Sequence, residues 1–242
     1  MQDLDFYARP GWYDALHAEG TASWADWLLV LNRRHGTGGV RWLEPACGTG
    51  RFFPVLARRG VRLTGYDLHP TAVAYARRRG DARLADMTGY LRPRAFDLAF
   101  CLLGSFRHLM DEAAARRHLT LTRRSLKPRG LYALGLDLCD YSRPEADEEV
   151  WTARRGGLSI EDVVETVPPD RLRRRERVIH FLRAGGRLYK SEYDLRSYDW
   201  PQFQRTFRAA GFRLAGAYDA WRRPVVPDRS TRDALFLLSA EG

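Results

Sequence analysis

The sequence predicts an α/β fold, in which a mostly parallel β-sheet carries helices on both faces and an antiparallel β-sheet is inserted near the C-terminal end. Strand-like runs alternate with helical patterns over residues 41–138, and those runs are apolar almost throughout, as in strands buried on both faces. Paired glycines separate alternating runs within residues 147–198, which predicts antiparallel hairpins there. We therefore expect one domain over residues 1–242, with a helical cap at 1–36 and the insertion at 147–198.

The first elements follow from helical spacing and from helix boundary signals. Apolar residues such as Trp12, Leu16 and Leu31 recur at helical spacing and predict a helix over residues 11–35. The alternation that follows consists of the strand RWLEPAC, the helix RFFPVLARRG, the strand VRLTGYDL, the helix PTAVAYARRRG, the strands ARLAD and FDLAFCLLG, the helix DEAAARRHLTLTRRSL and the strand GLYALGLDL. Pro70 near a helix start and Gly60 after a helix end support these boundaries.

The alternation of strands and helices stops after residue 140. Gly156-Gly157 and Gly185-Gly186 each separate two strand-like runs, and in the last run Tyr193 and Leu195 alternate with charged residues. The charge run DRLRRRER lies inside this insertion, and we interpret it as a polar loop and strand end rather than a nucleic-acid patch. The helix PQFQRTFRAAGF and the strand ALFLLS complete the fold.

Composition narrows the function classes. The formal net charge is +10, but only Lys127 and Lys190 among the forty basic residues are lysines, so we interpret the excess as arginine-rich solvated surface and expect no nucleic-acid partner. The N-terminal residues lack the apolar run of a signal peptide, and no window is apolar enough to span a membrane. Three cysteines in apolar runs predict reduced thiols in a cytoplasmic protein, and no spacing predicts a metal site.

The glycine loop LEPACGTGRF ends the first buried strand and precedes a helix. Gly48 and Gly50 allow a sharp turn and close approach of a ligand, although a plain βα turn has the same pattern. Asp67 ends the next strand, where an acid can accept hydrogen bonds from vicinal ribose hydroxyls or cap a helix. Phe53 stands where the dinucleotide fingerprint has its third glycine, which disfavours NAD, whereas Glu44 suits the ammonium group of S-adenosylmethionine.

These stretches in order resemble the motifs of class I S-adenosylmethionine-dependent methyltransferases. The stretches that carry this resemblance are LEPACGTGRF, LTGYDLHP, LADMTGY, FDLAFCLLGSFRHL and RSLKPRGLYALGLDL. The resemblance implies a Rossmann-like sheet of seven strands whose last strand is antiparallel, S-adenosyl-L-methionine as cofactor and S-adenosyl-L-homocysteine as product. Arg129 departs from the family, which usually has glycine there.

The resemblance also assigns the cofactor-binding residues. The loop residues Glu44, Ala46, Gly48 and Gly50 would surround the methionine part of the cofactor. Further residues implied to contact the cofactor are Asp67 and Leu68 at the ribose and adenine, Asp86 and Met87 at the adenine, and Cys101 and Leu102 under the pocket. Separately from the resemblance, Tyr13 is expected to form a lid over the cofactor with Tyr7 and Trp12, because aromatic faces suit a sulfonium; packing in the core is the alternative.

His108, in the stretch GSFRHL, is the candidate general base, because histidine titrates near neutral pH; a packing or capping role is the alternative. Ser105 and Arg107 are weaker candidates for contact with the acceptor. The stretch looks similar to relatives that methylate amines of small molecules, so we expect a nitrogen or oxygen of a small molecule to accept the methyl group. An RNA or protein methyltransferase, or a non-catalytic S-adenosylmethionine-binding protein, remains the alternative. The insertion would roof the acceptor pocket or mediate contacts of a homodimer.

Overall fold

The structure is a computed structural model that describes residues 1–240, and it contains two β-sheets. The strands in chain order are β1 Gln2–Asp3, β2 Arg41–Pro45, β3 Arg62–Asp67, β4 Asp81–Leu84, β5 Phe96–Cys101, β6 Leu126–Asp137, β7 Asp147–Arg155, β8 Leu158–Thr166, β9 Arg175–Ala184, β10 Arg187–Arg196, β11 Phe212–Asp219 and β12 Asp233–Ala240. The α-helices are α1 Pro10–Leu16, α2 Thr21–His35, α3 Phe52–Ala57, α4 Pro70–Ala76, α5 Glu112–Ser125 and α6 Trp200–Ala209, and two 3₁₀ helices lie at Phe6–Ala8 and Ser105–His108.

The larger sheet has seven strands in the order β11-β12-β6-β5-β2-β3-β4. Strands β4, β3, β2, β5 and β6 pair in parallel, and β12 pairs antiparallel with β6. The predicted fold class is therefore confirmed, including the antiparallel last strand. Strand order reverses between β2 and β5, and in such sheets ligands bind beyond the carboxyl ends of the strands at that point.

Helices cover both faces of this sheet, because its central strands are apolar on both sides. All six residues of β5 are buried. Leu98 and Phe100 contribute to the core that α2, α3 and α4 cover, whereas Ala99 and Cys101 contribute to the core under α5 and α6. This two-sided burial leaves only the strand ends free for a binding site.

The ring of Phe53 in α3 occupies a space that three glycines provide. A Cβ atom on Gly50, Gly65 or Gly80 would lie under 3 Å from that ring. Phe53 itself is 4% exposed. The Phe53 ring therefore fills the space between helix and strand that a glycine at this position would leave empty. It also sets the position of α3 behind the loop 46–51.

The smaller sheet has the order β1-β10-β9-β8-β7, and both predicted hairpins are present. Gly156, Gly157, Gly185 and Gly186 all have positive φ, as two-residue hairpin turns require. One face of this sheet covers the carboxyl-end edge of the larger sheet, so a partly open cavity lies between the two sheets.

The predicted helix over residues 11–35 is two helices, α1 and α2. Gly20 adopts a left-handed conformation with φ +73° at the start of α2, which breaks the helical path between them. The predicted helical cap at 1–36 also begins with a strand, because the extended β1 pairs in parallel with β10 and Leu4 N donates to Lys190 O at 2.8 Å.

Asp14 in α1 joins the N-terminal segment to three other parts of the chain. Its buried carboxylate accepts two hydrogen bonds from Arg79 at 2.6 and 2.8 Å, one from Arg155 at 2.5 Å and one from Thr49 at 3.0 Å. Burial alone would raise the pKa of Asp14, but the hydrogen bonds from these arginines lower it to about 2.

No helix within residues 1–240 is long and apolar enough to cross a membrane.

Candidate active site

The loop after β2 turns back on itself at the carboxyl end of the sheet. Ala46, Gly48 and Gly50 have positive φ values of 52°, 51° and 68°. Gly50 is required by packing against Phe53, whereas a Cβ on Gly48 would meet only Tyr13, at 3.9 Å. The backbone at Gly48 therefore borders open space, which a ligand could approach closely.

Glu44, the fourth residue of β2, places a carboxylate beside this loop. The residue is 7% exposed, and its Oε2 atom has no hydrogen-bond partner. Burial, opposed by Arg51 and reinforced by Asp67, raises the pKa of Glu44 well above its usual value. Since a buried carboxylate without a partner is costly, this position favours a positively charged ligand group.

Asp67 ends β3 and ties that strand to the loop. Its Oδ2 accepts from Gly48 N at 2.9 Å, and its Oδ1 accepts from His69 N at 2.8 Å. Each oxygen keeps a further lone pair, so the carboxylate can still accept from two ligand hydroxyls. The adjacent Leu68 is 67% exposed and offers an apolar surface next to it.

Asp86 and Met87 lie after the neighbouring strand β4, which pairs with β3. Asp86 Oδ1 accepts from both Thr88 N and Thr88 Oγ1 at 2.6 Å, and these two bonds lower the pKa of Asp86. The second oxygen remains available to a ligand N–H. Met87 packs against the core, and Ala85 N donates to Asp67 O at 3.0 Å, which fixes the two strand ends side by side.

A small cavity adjoins the loop, and a large cavity lies next to the small one. A small cavity of about 30 Å³ is bounded by Glu44 and Gly48, and a large one of about 740 Å³ lies between the two sheets. Tyr13, Leu102 and Ser105 line both cavities and so connect them.

Most predicted cofactor residues therefore surround one edge of the sheet, but not all line a cavity. Asp67, Leu68, Asp86 and Met87 lie outside both cavities, at the neighbouring strand ends. The Cys101 side chain, predicted to lie under the pocket, is 1% exposed within the core, because β5 turns that side chain away from the cavity wall. Burial raises the pKa of this thiol to about 12.

His108 reaches the large cavity from the 3₁₀ helix Ser105–His108. Its Nε2 atom lies 3.1 Å from the Tyr7 hydroxyl, and the rings of Tyr7 and Tyr13 are 6.0 Å apart. Burial, followed by the charge of Arg107, lowers the pKa of His108 to about 4, so the imidazole is neutral at neutral pH. Burial is also the main influence on Tyr13 and raises its pKa to about 12.

Two other candidates have partners within the protein, and one of them, Arg107, also lines the large cavity. Trp12, predicted to be in the lid, packs edge-on against Tyr189 of β10 at 5.3 Å between ring centroids. Arg107, predicted to contact the acceptor, is buried, forms ion pairs with Asp137 and Glu176, and donates to Arg196 O at 3.2 Å. Arg107 thus joins the Ser105–His108 turn to the inserted sheet.

Sequence reasoning missed the residues that the inserted sheet contributes. Asp162, His180 and Tyr193 line the large cavity and are hydrogen-bonded in series, with 2.9 Å between Asp162 Oδ2 and His180 Nδ1 and 3.0 Å between His180 Nε2 and the Tyr193 hydroxyl. Asp162 and His180 fall on the same side of their strands as the buried Ile160 and Leu182. A polar residue at an inward position of an alternating strand was the available signal.

The large cavity is rich in carboxylates, although the chain is basic. Nine aspartates and glutamates line it, against three arginines and no lysine. At its far wall, burial raises the pKa of Asp233 to about 6, and the nearby carboxylates of Asp137, Glu149 and Asp219 add to the shift. Among residues 1–240 no group of three or more histidine, cysteine or acidic side chains is arranged to hold a metal ion.

Comparison with known proteins gives the family context of this arrangement. Residues 43–130 match the methyltransferase domain family. A protein of Geobacillus sp. (strain WCH70) named as a methyltransferase is 26% identical over 132 residues, covering 50% of this chain and 52% of that protein, so the chain spans about half the length of this relative. The ubiquinone biosynthesis O-methyltransferase of Xylella fastidiosa (strain M23) is 27% identical over 204 residues, covering 67% of this chain and 80% of that protein.

Solved structures match nearly the whole chain. DesVI of Streptomyces venezuelae superimposes with a TM-score of 0.76 at 17% identity, covering 99% of this chain and 100% of its own. CalS10 of Micromonospora echinaspora, an amino pentose methyltransferase solved with bound S-adenosylmethionine, superimposes with a TM-score of 0.72 at 21% identity and covers 99% of each chain. At these identities the likeness establishes the fold, and the fold includes the inserted sheet.

Proposed function

We propose that this chain, whose residues 43–130 are a methyltransferase domain within a complete class I methyltransferase fold, transfers a methyl group from S-adenosyl-L-methionine to a nitrogen or oxygen of a small molecule. The observation that carries the proposal is the buried Glu44 carboxylate, whose Oε2 lacks a partner beside an open glycine loop. An ammonium group bound there would supply the missing partner. When bound, S-adenosylmethionine supplies a methyl group that is already activated on a sulfonium.

The remaining cofactor contacts follow from the strand ends. The backbone of Ala46, Gly48 and Gly50 would surround the methionine part, and the Asp67 carboxylate would accept from the two ribose hydroxyls with its remaining lone pairs. Other residues assigned to the cofactor are Leu68 and Met87 against the adenine ring, Asp86 at its amino group, and Tyr13 and Leu102 between the two cavities.

The large, partly open cavity between the sheets is the proposed acceptor site. Its volume of about 740 Å³ lies in the range of small-molecule sites. Because carboxylates outnumber arginines on its walls, it suits a neutral or cationic acceptor and would repel a nucleic-acid backbone. A small molecule is therefore favoured over RNA, and a basic amine over a phosphorylated compound.

Catalysis would depend mainly on alignment. The place where the two cavities meet is bordered by the rings of Tyr7 and Tyr13 and by the inserted sheet. These groups would hold an acceptor in position and exclude water from it. The imidazole of His108 is neutral and could accept a proton from the acceptor atom, but its pKa of about 4 makes it a weak base, which leaves alignment as the larger contribution.

Calorimetry with S-adenosylmethionine and NAD, on the wild type and on Asp67→Ala, tests the cofactor. We expect the wild type to bind S-adenosylmethionine and not NAD, and Asp67→Ala to bind at least about tenfold more weakly, because two charge-assisted hydrogen bonds to the ribose are lost. Asp81→Asn, an exposed strand residue outside the site, is the control. Absence of wild-type binding, or unchanged affinity in Asp67→Ala, would contradict the proposal.

Turnover against a panel of amines, hydroxyl compounds and carboxylic acids tests the acceptor. We expect methylation of a basic amine, with the activity depending only weakly on salt. Strongly salt-dependent methylation of RNA would instead support the nucleic-acid alternative. Cofactor binding without turnover of any acceptor class would favour a non-catalytic binding protein.

A further inference from the structure

One side of the large cavity is formed by a continuous row of aromatic rings. Its members are half-buried or exposed side chains that line the cavity: Tyr7, Tyr13, His17, His108, Trp151 and Tyr193. We call these six side chains the aromatic wall. They come from the N-terminal segment, from the 3₁₀ helix Ser105–His108 and from two strands of the smaller sheet, so only the folded chain brings them together.

Neighbouring rings of the aromatic wall are in contact with one another. The centroid distances are 4.3–6.0 Å for the pairs Trp151–His17, His17–Tyr13, Tyr13–Tyr7, Tyr7–His108, Tyr7–Tyr193 and His108–Tyr193. A cation that is attracted to an aromatic face lies within about 6 Å of the ring centroid. One cationic group in the cavity can therefore contact several of these rings at once.

The titratable rings of the aromatic wall are uncharged at neutral pH. Burial, the largest influence on both histidines, lowers the pKa of His17 and the pKa of His108 to about 4. Burial likewise raises the pKa of Tyr13 to about 12 and raises the pKa of Tyr7 and of Tyr193 above the usual value. The wall therefore offers aromatic faces to a cation without a positive charge of its own that would repel it.

Acidic side chains stand beside the aromatic wall. Trp151 Nε1 donates to Glu149 Oε2 at 2.9 Å, and Asp162 is the residue opposite Trp151 in the ladder between β7 and β8. Both acids line the same cavity as the wall. Arg107, the arginine next to His108, is already paired with two acidic side chains. The surroundings of the wall thus favour a cation.

The aromatic wall begins where the transferred methyl group would arrive. Tyr13 lines both cavities, and its ring lies on the open side of Gly48. Methyl transfer to a neutral amine moves one positive charge from sulfur to nitrogen, so the wall faces this charge before and after the transfer. A hydroxyl acceptor would instead need a base to remove its proton, and the low pKa of His108 makes it a weak base.

We propose that the aromatic wall binds an N-alkylated ammonium group, and that the acceptor is a secondary amine which the protein converts to a tertiary amine. The inference rests on the proposed function for the methyl transfer but not for the binding of the cation. A primary ammonium has three N–H groups that each need a hydrogen-bond acceptor. Each alkyl group on nitrogen replaces one of these with apolar surface that the rings can cover, and the positive charge remains.

The transfer to a secondary amine balances without a base from the protein. The lone pair of the amine nitrogen forms the new bond to the methyl carbon, and the electron pair of the broken sulfur–methyl bond stays on sulfur. The nitrogen keeps its one N–H proton and becomes a tertiary ammonium, which is the group that the aromatic wall binds. An acceptor that enters as a secondary ammonium first releases its extra proton to water at the open side of the cavity.

Calorimetric titration with choline and with 3,3-dimethylbutan-1-ol, its neutral carbon isostere, tests the aromatic wall without cofactor or methyl transfer. We expect the wild type to bind choline at least about fivefold more tightly than the neutral compound, because only choline has a charge for the ring faces to attract. Glu44→Gln should bind choline as the wild type does, since Glu44 belongs to the small cavity. Equal affinity for the two compounds, or no binding of choline, would overturn the proposal.

Two substitutions of Trp151 separate its aromatic face from its apolar volume. Trp151→Leu should bind choline about fivefold more weakly than the wild type, whereas Trp151→Phe keeps a ring and should bind nearly as well. Trp12→Leu is the matched control, because Trp12 packs against Tyr189 outside both cavities. Tyr193→Leu and Tyr193→Phe repeat the comparison on another strand, and thermal unfolding checks that each variant is folded. Equal choline affinity in the leucine and phenylalanine variants at both positions would overturn the proposal.

Turnover of amine pairs that differ by one N-methyl group tests the acceptor class. We expect the secondary amine of each pair to be methylated with the higher kcat/KM, and the corresponding alcohol not to be methylated. Faster methylation of the primary amines would overturn the assignment of the acceptor. Choline binding in a protein that does not bind S-adenosylmethionine would support the aromatic wall as a cation site and would count against the proposed function only.

Discussion

At the scale of single residues, the site combines one unsatisfied carboxylate with several satisfied ones. Glu44 is buried with a free Oε2, whereas Asp67 already accepts two backbone N–H groups. The Asp67 bonds shape the loop whether or not a ligand is present. Glu44 makes no comparable contribution to the fold, so its burial has a functional rather than a structural reason, as perturbed acids in clefts often do.

Glu44→Gln is predicted to weaken S-adenosylmethionine binding and to stabilise the free protein. The neutral amide loses the charge-assisted bond to the cofactor ammonium, which should reduce affinity about 10- to 100-fold in calorimetry. The folded state raises the pKa of Glu44, so folding holds its proton more tightly than the unfolded chain does, and the stability of the wild type falls as pH rises above about 4.5. Thermal unfolding at pH 7 should therefore give a higher Tm for the variant.

The exposed Glu19→Gln serves as the control for both measurements. Equal cofactor affinity in Glu44→Gln and wild type would remove Glu44 from the site. A lower Tm in Glu44→Gln would mean that the carboxylate has a stabilising partner in the free protein.

At the scale of elements, the glycine loop and α3 are one packing unit. The Phe53 ring contacts the space left by Gly50, Gly65 and Gly80, which come from the loop, from β3 and from the residue before β4. The sequence shows Phe53 as the residue that replaces a third glycine, but it does not show that glycines elsewhere accommodate the ring. The packing of α3 thus depends on three positions spread over thirty residues.

Gly80→Ala tests that packing, because Gly80 does not have a positive φ and the effect is therefore steric. An added Cβ would overlap the buried Phe53 ring, and we expect a loss of about 1–3 kcal/mol in the free energy of unfolding by urea titration. Phe53→Leu in the same chain should recover part of that loss, giving a measurable coupling energy. Gly11→Ala, where the new methyl group meets open space, is the control. Additive effects of Gly80→Ala and Phe53→Leu would contradict this packing.

At the scale of the whole molecule, the two sheets border the large cavity, and ion pairs join the parts of the chain around it. Asp14 connects α1 to the glycine loop through Thr49, to the segment after α4 through Arg79, and to the inserted sheet through Arg155. Arg107 makes a second connection, between the end of β6 and β9. These arginines form ion pairs that hold parts of the fold together. Part of the positive net charge therefore has a structural role, which argues against a nucleic-acid-binding surface.

Asp14→Asn is predicted to destabilise the protein in a pH-dependent way. The pKa of Asp14 is lowered from 3.8 to about 2, so its ionisation stabilises the fold by about 2 kcal/mol above pH 3.8, and this contribution is lost as pH falls toward 2. Urea unfolding at pH 7 should show the full difference from wild type, and the difference should shrink below pH 4. Asp26→Asn, in an exposed pair with Arg59, should show little effect. A difference that stays constant between pH 7 and pH 3 would contradict the assignment.

The resemblance to the methyltransferase motifs implied the seven strands of the larger sheet. The sequence alone predicted a mostly parallel sheet, the inserted hairpins and the carboxylates at the strand ends, because periodicity, turn glycines and motif spacing are local signals. The sequence predicted one helix where Gly20 separates two, because a single left-handed residue hardly alters the apolar periodicity. It did not reveal the ion pairs of Arg107 with Asp137 and Glu176, because a charged residue near a strand end does not show its partners. Only the tertiary structure decided the acid-lined cavity and the contact between Tyr7 and His108. Those contacts join residues such as Tyr7 and His108, one hundred and one positions apart, and no local pattern encodes which side chains two separately folded sheets bring face to face.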